Sequence, residues 1–200
     1  MALFRLGPSI DETHFIKGDG VYLRPGLMRD FEQWRWVREF SRDFLIPWEP
    51  TWNNDDHTRS AFRARLRRHA DEIERDRSYP FFIFRARDDV LMGGLTLGQV
   101  RRGVAQTTTM GYWMGKPHAG KGYMAKAVRA AAGYAFSTLR LHRVEAACLP
   151  NNIASMRLLE GVGFTREGYA RAYLRINGVW QDHVLYGLLE NDPVRPSVPR

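Results

Sequence analysis

Residues 114–124 read Met-Gly-Lys-Pro-His-Ala-Gly-Lys-Gly-Tyr-Met, and the glycines beside Lys121 give this stretch the makings of an anion site. Glycine lets successive backbone N–H groups converge on one point, and a helix starting at the far end adds partial positive charge there. A phosphate suits such a cradle, whereas a plain connecting turn needs neither Lys121 nor two glycines so close together. Residues 115–121 satisfy the G-x-x-x-x-G-K of a nucleoside-triphosphate loop. The next residue is Gly122, where that motif needs Ser or Thr to hold Mg²⁺, and no apolar strand ending in a metal-binding Asp follows. Gly120-x-Gly122-x-x-Ala125 also fits the dinucleotide pattern, but there the first glycine closes a strand directly, and here residues 115–119 intervene. Coenzyme A is a third phosphate-bearing ligand to weigh.

Little else in the chain clusters for reactivity. The single cysteine, Cys148, excludes an internal disulfide and a multi-cysteine metal site. It sits inside the apolar run 143–149, where a small buried hydrophobe is expected rather than a nucleophile. The six histidines show no i,i+4 pair and no ligand-spaced cluster, so no metal is expected.

The elements that must position the glycine loop follow from periodicity and punctuation. A short strand is expected at 21–24, stopped by Pro25, and a first helix carries Phe31, Trp34 and Val37 at helical spacing. Residues 53–56, Asn-Asn-Asp-Asp, offer caps for a second helix with the narrow apolar stripe Phe62, Leu66, His69 and Ile73. Its remaining face is charged, with Arg68–Glu72 and Asp71–Arg75 at i,i+4, and reads as either a solvated surface or a phosphate contact. Strands at 81–84, 90–97 and 107–114 are short and consecutive, which predicts an antiparallel meander turning at Asp88 and Asp89. A helix over 122–139, a strand over 143–149 and a short helix between Asn152 and Gly161 follow. The chain ends in a hairpin turning at Asn177-Gly178, a strong hairpin signal. This is an α+β order: a mostly antiparallel mixed sheet with helices on both faces and a C-terminal β-hairpin. One domain over 1–192 is expected, after a loose N-terminus, with a Pro-rich tail at 193–200.

Composition bounds the rest. Among 200 residues, 44% are hydrophobic and 26% charged, which excludes disordered and coiled-coil classes. No apolar stretch approaches the ~20 residues of a membrane span, and Asp11, Glu12, His14 and Lys17 break any signal-peptide core. A cytoplasmic location is expected, with no membrane partner. The net charge of +8 favours anionic partners such as nucleotide phosphates or ribosomes.

The loop resembles that of the GNAT acyltransferases, in which a strand leads into a Q/R-x-x-G-x-G/A turn wrapped around the coenzyme pyrophosphate. Residues 117–122 keep both glycines, while Pro117 stands where the leading Gln or Arg would be. Residues 152–164 resemble the family's N-x-x-[AS]…G-F segment. Residues 44–50, Phe-Leu-Ile-Pro-Trp-Glu-Pro, with 168–170 and 177–185, are similar to the RimJ/RimL branch, which acetylates N-termini of ribosomal proteins.

This resemblance implies a GNAT fold and acetyl-CoA as co-substrate. Acetyl-CoA would be held by Tyr112, Trp113, Met114, Ala119, Gly120, Lys121, Gly122, Tyr123, Met124 and Asn152. It implies direct attack of an amine on the thioester, with the backbone N–H near Met114 polarising the carbonyl. The tyrosine that protonates the thiolate in many members is replaced by Leu159, and the Rim branch's serine falls on Ser155. A glutamate serving as base in part of that branch falls on Leu174, which leaves Glu49 as the candidate and Asp182 with His183 in reserve. His118 is expected to face phosphate or solvent. The acceptor implied is a protein α-amino group, with possible ribosome association and no direct nucleic-acid readout. A small-molecule amine or a non-catalytic coenzyme- or ribosome-binding role are the alternatives.

Overall fold

The computed structural model describes residues 14–52 and 55–193. The loose N-terminus up to residue 13, the capping candidates Asn53 and Asn54, and the Pro-rich tail from residue 194 lie outside them. Eight strands build one sheet: β1 (Ile16–Lys17), β2 (Val21–Arg24), β3 (Tyr79–Arg85), β4 (Val90–Arg101), β5 (Thr107–Met114), β6 (Arg143–Cys148), β7 (Thr165–Ile176) and β8 (Val179–Leu189). Their order is β1-β2-β3-β4-β5-β6-β8-β7. All neighbours run antiparallel except β5 and β6.

Five helices cover the sheet: α1 (Phe31–Phe40), α2 (Arg42–Leu45), α3 (Arg59–Glu74), α4 (Tyr123–Ser137) and α5 (Ile153–Val162). Side chains alternate across a strand, and β3 shows what both faces hold. Phe81 and Ile83 join the core under α4, while Phe82 and Phe84 join Phe31, Trp34 and Phe62 beneath α1 and α3. Every β3 side chain from Tyr79 to Phe84 is therefore buried. Ala127, Ala131 and Ala135 of α4 are fully buried, because small side chains bring that helix close to the sheet.

The expected meander is present as β3 to β5, with β3 and β4 longer than the apolar runs suggest, since edge residues still pair. Two expectations on α3 are corrected. Its N-cap is Thr58, whose Oγ1 accepts from the Ala61 N–H at 3.2 Å; Asp55 and Asp56 fall in the turn before it. Of the two i,i+4 pairs, Asp71–Arg75 forms at 2.6 Å, and Arg68–Glu72 is not among the ion pairs of the described residues. The elements β1 and α2, only two and four residues long, carry too little periodicity to be anticipated.

The feature that positions the site is the β5–β6 pair. Register pairing runs only through Thr107–Arg143, Thr108–Val144 and Thr109–Glu145. Beyond it the two strands part, β6 continuing against β8 and β5 against β4. The gap between them opens toward the glycine loop at the C-terminal end of β5.

Candidate active site

Gly120 and Gly122 adopt φ of +72° and +79°, a region costly to any residue with a Cβ. A Cβ at either position would meet no atom within 4 Å, so the backbone here borders open space. Gly122 is the N-cap of α4, whose first turn holds no acidic residue. The first N–H groups of that helix lack intrahelical partners and face the same space. The loop's start is tied to α1, with the Lys116 N–H donating to the buried Ser41 hydroxyl at 2.9 Å. Lys121 folds back, its Nζ donating to the Pro117 carbonyl at 2.7 Å.

The loop, the end of β5, the N-terminal turn of α5 and residues 44–49 enclose one cavity of about 980 Å³. All the site residues expected from sequence line it: Tyr112, Trp113 and Met114 from β5; Ala119, Gly120, Lys121, Gly122, Tyr123 and Met124 from the loop and α4; Asn152 and Ser155 from α5; and Glu49. The Gly115 N–H donates to the Met92 carbonyl at 2.8 Å. Because backbone groups alternate along a strand, the Met114 N–H points the other way, into the β5–β6 gap.

Asn152 caps α5, its Oδ1 accepting from the Ser155 N–H at 3.1 Å. The cap is thus supplied by Asn152, and the Ser155 hydroxyl is directed to the Tyr112 phenol. Burial holds that phenol well above the usual tyrosine range, the hydrogen bond to Ser155 opposing the shift. Tyr112 therefore stays protonated at any working pH.

At the opposite end Glu49 is clamped. Arg38 reaches both of its oxygens at 3.0 Å, and the Trp52 indole N–H donates to Oε1 at 3.1 Å. The Arg38 guanidinium is buried between the rings of Trp52 and Trp113, 4.1 and 4.7 Å from their centroids. Burial lowers its pKa from the usual arginine range, with Glu49 opposing. Gly94 makes room for this stack, since a Cβ there would come within 2.5 Å of the Trp113 indole nitrogen.

The cavity's cations are Lys121, Lys126, Arg129 and Arg157, and its carboxylates are Asp19 and Glu49. Asp19 pairs with Lys126 at 2.9 Å, so the glycine-loop end carries excess positive charge suited to phosphates. His118 lines the cavity on the glycine-loop side. It is buried, with neither ring nitrogen bonded among the described residues, and burial followed by Arg85 and Lys121 lowers its pKa. Its ring packs as a neutral side chain.

The remaining expectations sort cleanly. Asp182 accepts from the Ala172 N–H and the Tyr169 hydroxyl, and buried His183 contacts the Gln181 carbonyl; neither lines the cavity. Leu159 is core and Leu174 an exposed hairpin residue. Cys148 is buried, and burial with the Glu160 charge pushes its thiol up to about 11. No group of three or more potential metal ligands occurs among the described residues, and no helix among them is long and apolar enough to cross a membrane. Arg38, Ser41 and the cations of α4 and α5 escaped the sequence reading. Their roles arise from contacts across elements, and no spacing marks them.

A strand leading into a glycine loop and a helix N-terminus is the geometry the resemblance implied, and the sequence matches the Acetyltransferase (GNAT) domain family over residues 21–165. The chain belongs to the GNAT acetyltransferases. It is 41% identical over 177 residues to the Probable N-acetyltransferase YjcK of Bacillus subtilis, covering 88% of this chain and 98% of that one. It is 34% identical over 168 residues to the [Ribosomal protein uS5]-alanine N-acetyltransferase of Escherichia coli, covering 83% and 87%. Among solved structures, Mycobacterium smegmatis RimJ in complex with CoA-disulfide superposes with a TM-score of 0.81 at 31% identity, covering 88% of this chain and 86% of that one. The protein is an acetyl-CoA-dependent N-acetyltransferase of RimJ/RimL type.

Proposed function

We propose that the acceptor is the N-terminal α-amino group of a protein, a ribosomal protein being the closest in kind to the acceptor named for the E. coli relative. The observation that carries this reading is the charge balance at the acceptor end. Phe44, Leu45, Trp48 and Trp113 wall it, and among the described residues its one lining carboxylate, Glu49, is neutralised by Arg38. Such a wall suits one amine on an otherwise uncharged residue. A polyamine or aminoglycoside brings several cations, and no free carboxylates among the described residues line the cavity to receive them.

In this reading the coenzyme pyrophosphate lies on the backbone of Gly120, Gly122 and the first turn of α4, with Asn152 beside the pantetheine arm. The thioester carbonyl accepts from the Met114 N–H. The neutral amine forms the new C–N bond and the C–S bond breaks. Ser155, held by the Tyr112 phenol, delivers a proton to the departing thiolate and recovers one from water, while the proton shed by nitrogen leaves past Glu49 through water. The test is transfer of radiolabel from acetyl-CoA to peptides beginning with Ala, Ser or Met, set against spermidine, an aminoglycoside and free amino acids. Labelling at the peptide α-amine is expected; faster labelling of the small amines would overturn the proposal.

A further inference from the structure

The outer face of α1 presents aromatic rings where a surface helix ordinarily presents charge. Trp36, Phe40, Phe44 and Trp48 recur at every fourth residue and are 54, 58, 39 and 38% exposed. They are not a surplus of the core, which α1 fills with Phe31, Trp34 and Val37 from its other side. The Trp36 and Phe40 rings stack with centroids 5.2 Å apart, and Phe44 and Trp48 already line the catalytic cavity. Beyond Trp36 lies a second, apolar pocket of about 300 Å³ formed with Glu32, Gln33, Val90 and Leu91. Its floor is fixed where the Leu91 N–H donates to Gln33 Oε1 at 2.8 Å. Beside the stripe Glu39 pairs with Arg35, and the rings themselves offer apolar contact.

We propose that this stripe is a second acceptor subsite: it holds the polypeptide segment that follows the acetylated amine and seats an apolar side chain in the pocket beside Trp36. The inference rests on the protein-acceptor reading. The occupant is set by continuity, because the stripe begins inside the cavity at Trp48 and Phe44 and ends in a pocket of side-chain size. Trp36 of α1 and Phe44 of α2 are eight positions apart across the turn at Ser41, and a helical rise of 1.5 Å per residue on either side puts them on the order of 12 Å apart, a span that an extended peptide covers with about four residues. With the first residue in the cavity, the anchor falls about five or six residues into the acceptor. Aromatic residues in such positions carry a large share of binding energy at interfaces.

The test compares four- and ten-residue peptides with the same first four residues, the longer bearing Leu at position six. For the unmodified enzyme the ten-residue peptide should show a KM on the order of tenfold lower. Trp36→Ala with Phe40→Ala should erase that advantage, leaving turnover of the four-residue peptide and the KM for acetyl-CoA unchanged. Replacing the peptide's Leu with Ser should do the same. Equal KM values for both peptides, or an equal loss on both in the double variant, would overturn the subsite while leaving α-amine transfer in place. Light scattering that finds a dimer dissociated by the double variant, with peptide KM unmoved, would assign the face to a second copy instead. Absence of transfer to any peptide α-amine would overturn the protein-acceptor reading and this subsite with it.

Discussion

Gly122→Ala separates the conformational demand of the glycine loop from its role toward the coenzyme. In the protein alone the added methyl meets nothing within 4 Å, so no steric cost arises. The cost comes from φ of +79°, about 1–2 kcal/mol for a residue with a Cβ, offset by about 0.4–1 kcal/mol from a less flexible unfolded chain. A net loss of about 1 kcal/mol lowers Tm by about 2–4 °C in a chain of this size. The open space above Gly122 is where the pyrophosphate would lie, and a methyl there displaces a hydrogen bond to a charged oxygen worth about 1.5–3 kcal/mol. That corresponds to a rise of roughly ten- to a hundredfold in the Kd for acetyl-CoA. Gly133→Ala is the control: it lies in the same helix, exposed, with an ordinary φ and no atom near its would-be Cβ. It should stabilise the protein by about 0.8–1 kcal/mol and leave coenzyme affinity untouched. Calorimetric titration and thermal unfolding of both variants read the two effects separately. A Gly122→Ala protein that loses Tm but keeps its acetyl-CoA affinity would refute the assignment of this backbone to the pyrophosphate.

Ser155→Ala is expected to lower kcat by about 10²-fold with little change in acetyl-CoA KM. Its helix cap is untouched because Asn152 supplies it; a matching fall in Tm would return the hydroxyl to a structural part. Arg38→Met should lower acceptor kcat/KM by about ten- to a hundredfold, with acetyl-CoA KM held within about twofold and partial recovery in Arg38→Lys. Combined with Glu49→Gln its effect should be less than additive, and steady-state kinetics varying each substrate in turn would show otherwise if the clamp did not act through Glu49. Stability should fall as pH drops from about 6.5 toward 4, because burial together with Arg65 and Arg68 lowers His69 to about 4. In that window the unfolded chain binds the proton and the folded one does not. His69→Leu should flatten this part of the urea-midpoint profile, and an unchanged slope would place the acid sensitivity elsewhere.

What could be read from residue order alone was whatever a single position must satisfy by itself. Gly120 and Gly122 are legible because a left-handed φ favours glycine over residues with a Cβ. Asn152 is legible as a cap, and Asn177-Gly178 as a turn, for the same local reason, both of the latter taking positive φ. Where several residues can satisfy one demand, order misleads: Thr58 rather than residues 53–56 caps α3, since a later side chain of the same chemistry stood nearer the first turn. The acceptor half was illegible for a different cause. Arg38 meets Glu49 eleven residues on and Trp113 seventy-five residues on, contacts that exist only once α1 lies across the end of β5. Tyr112 meets Ser155 because β5 and β6 part after Thr109, and nothing in either strand's sequence announces the parting. In the proposed reading the coenzyme is recognised largely through backbone geometry, which leaves its trace in glycines and caps. In the same reading the acceptor is recognised through side chains assembled from α1, β5 and the intervening loop, so its chemistry had to wait for the packing.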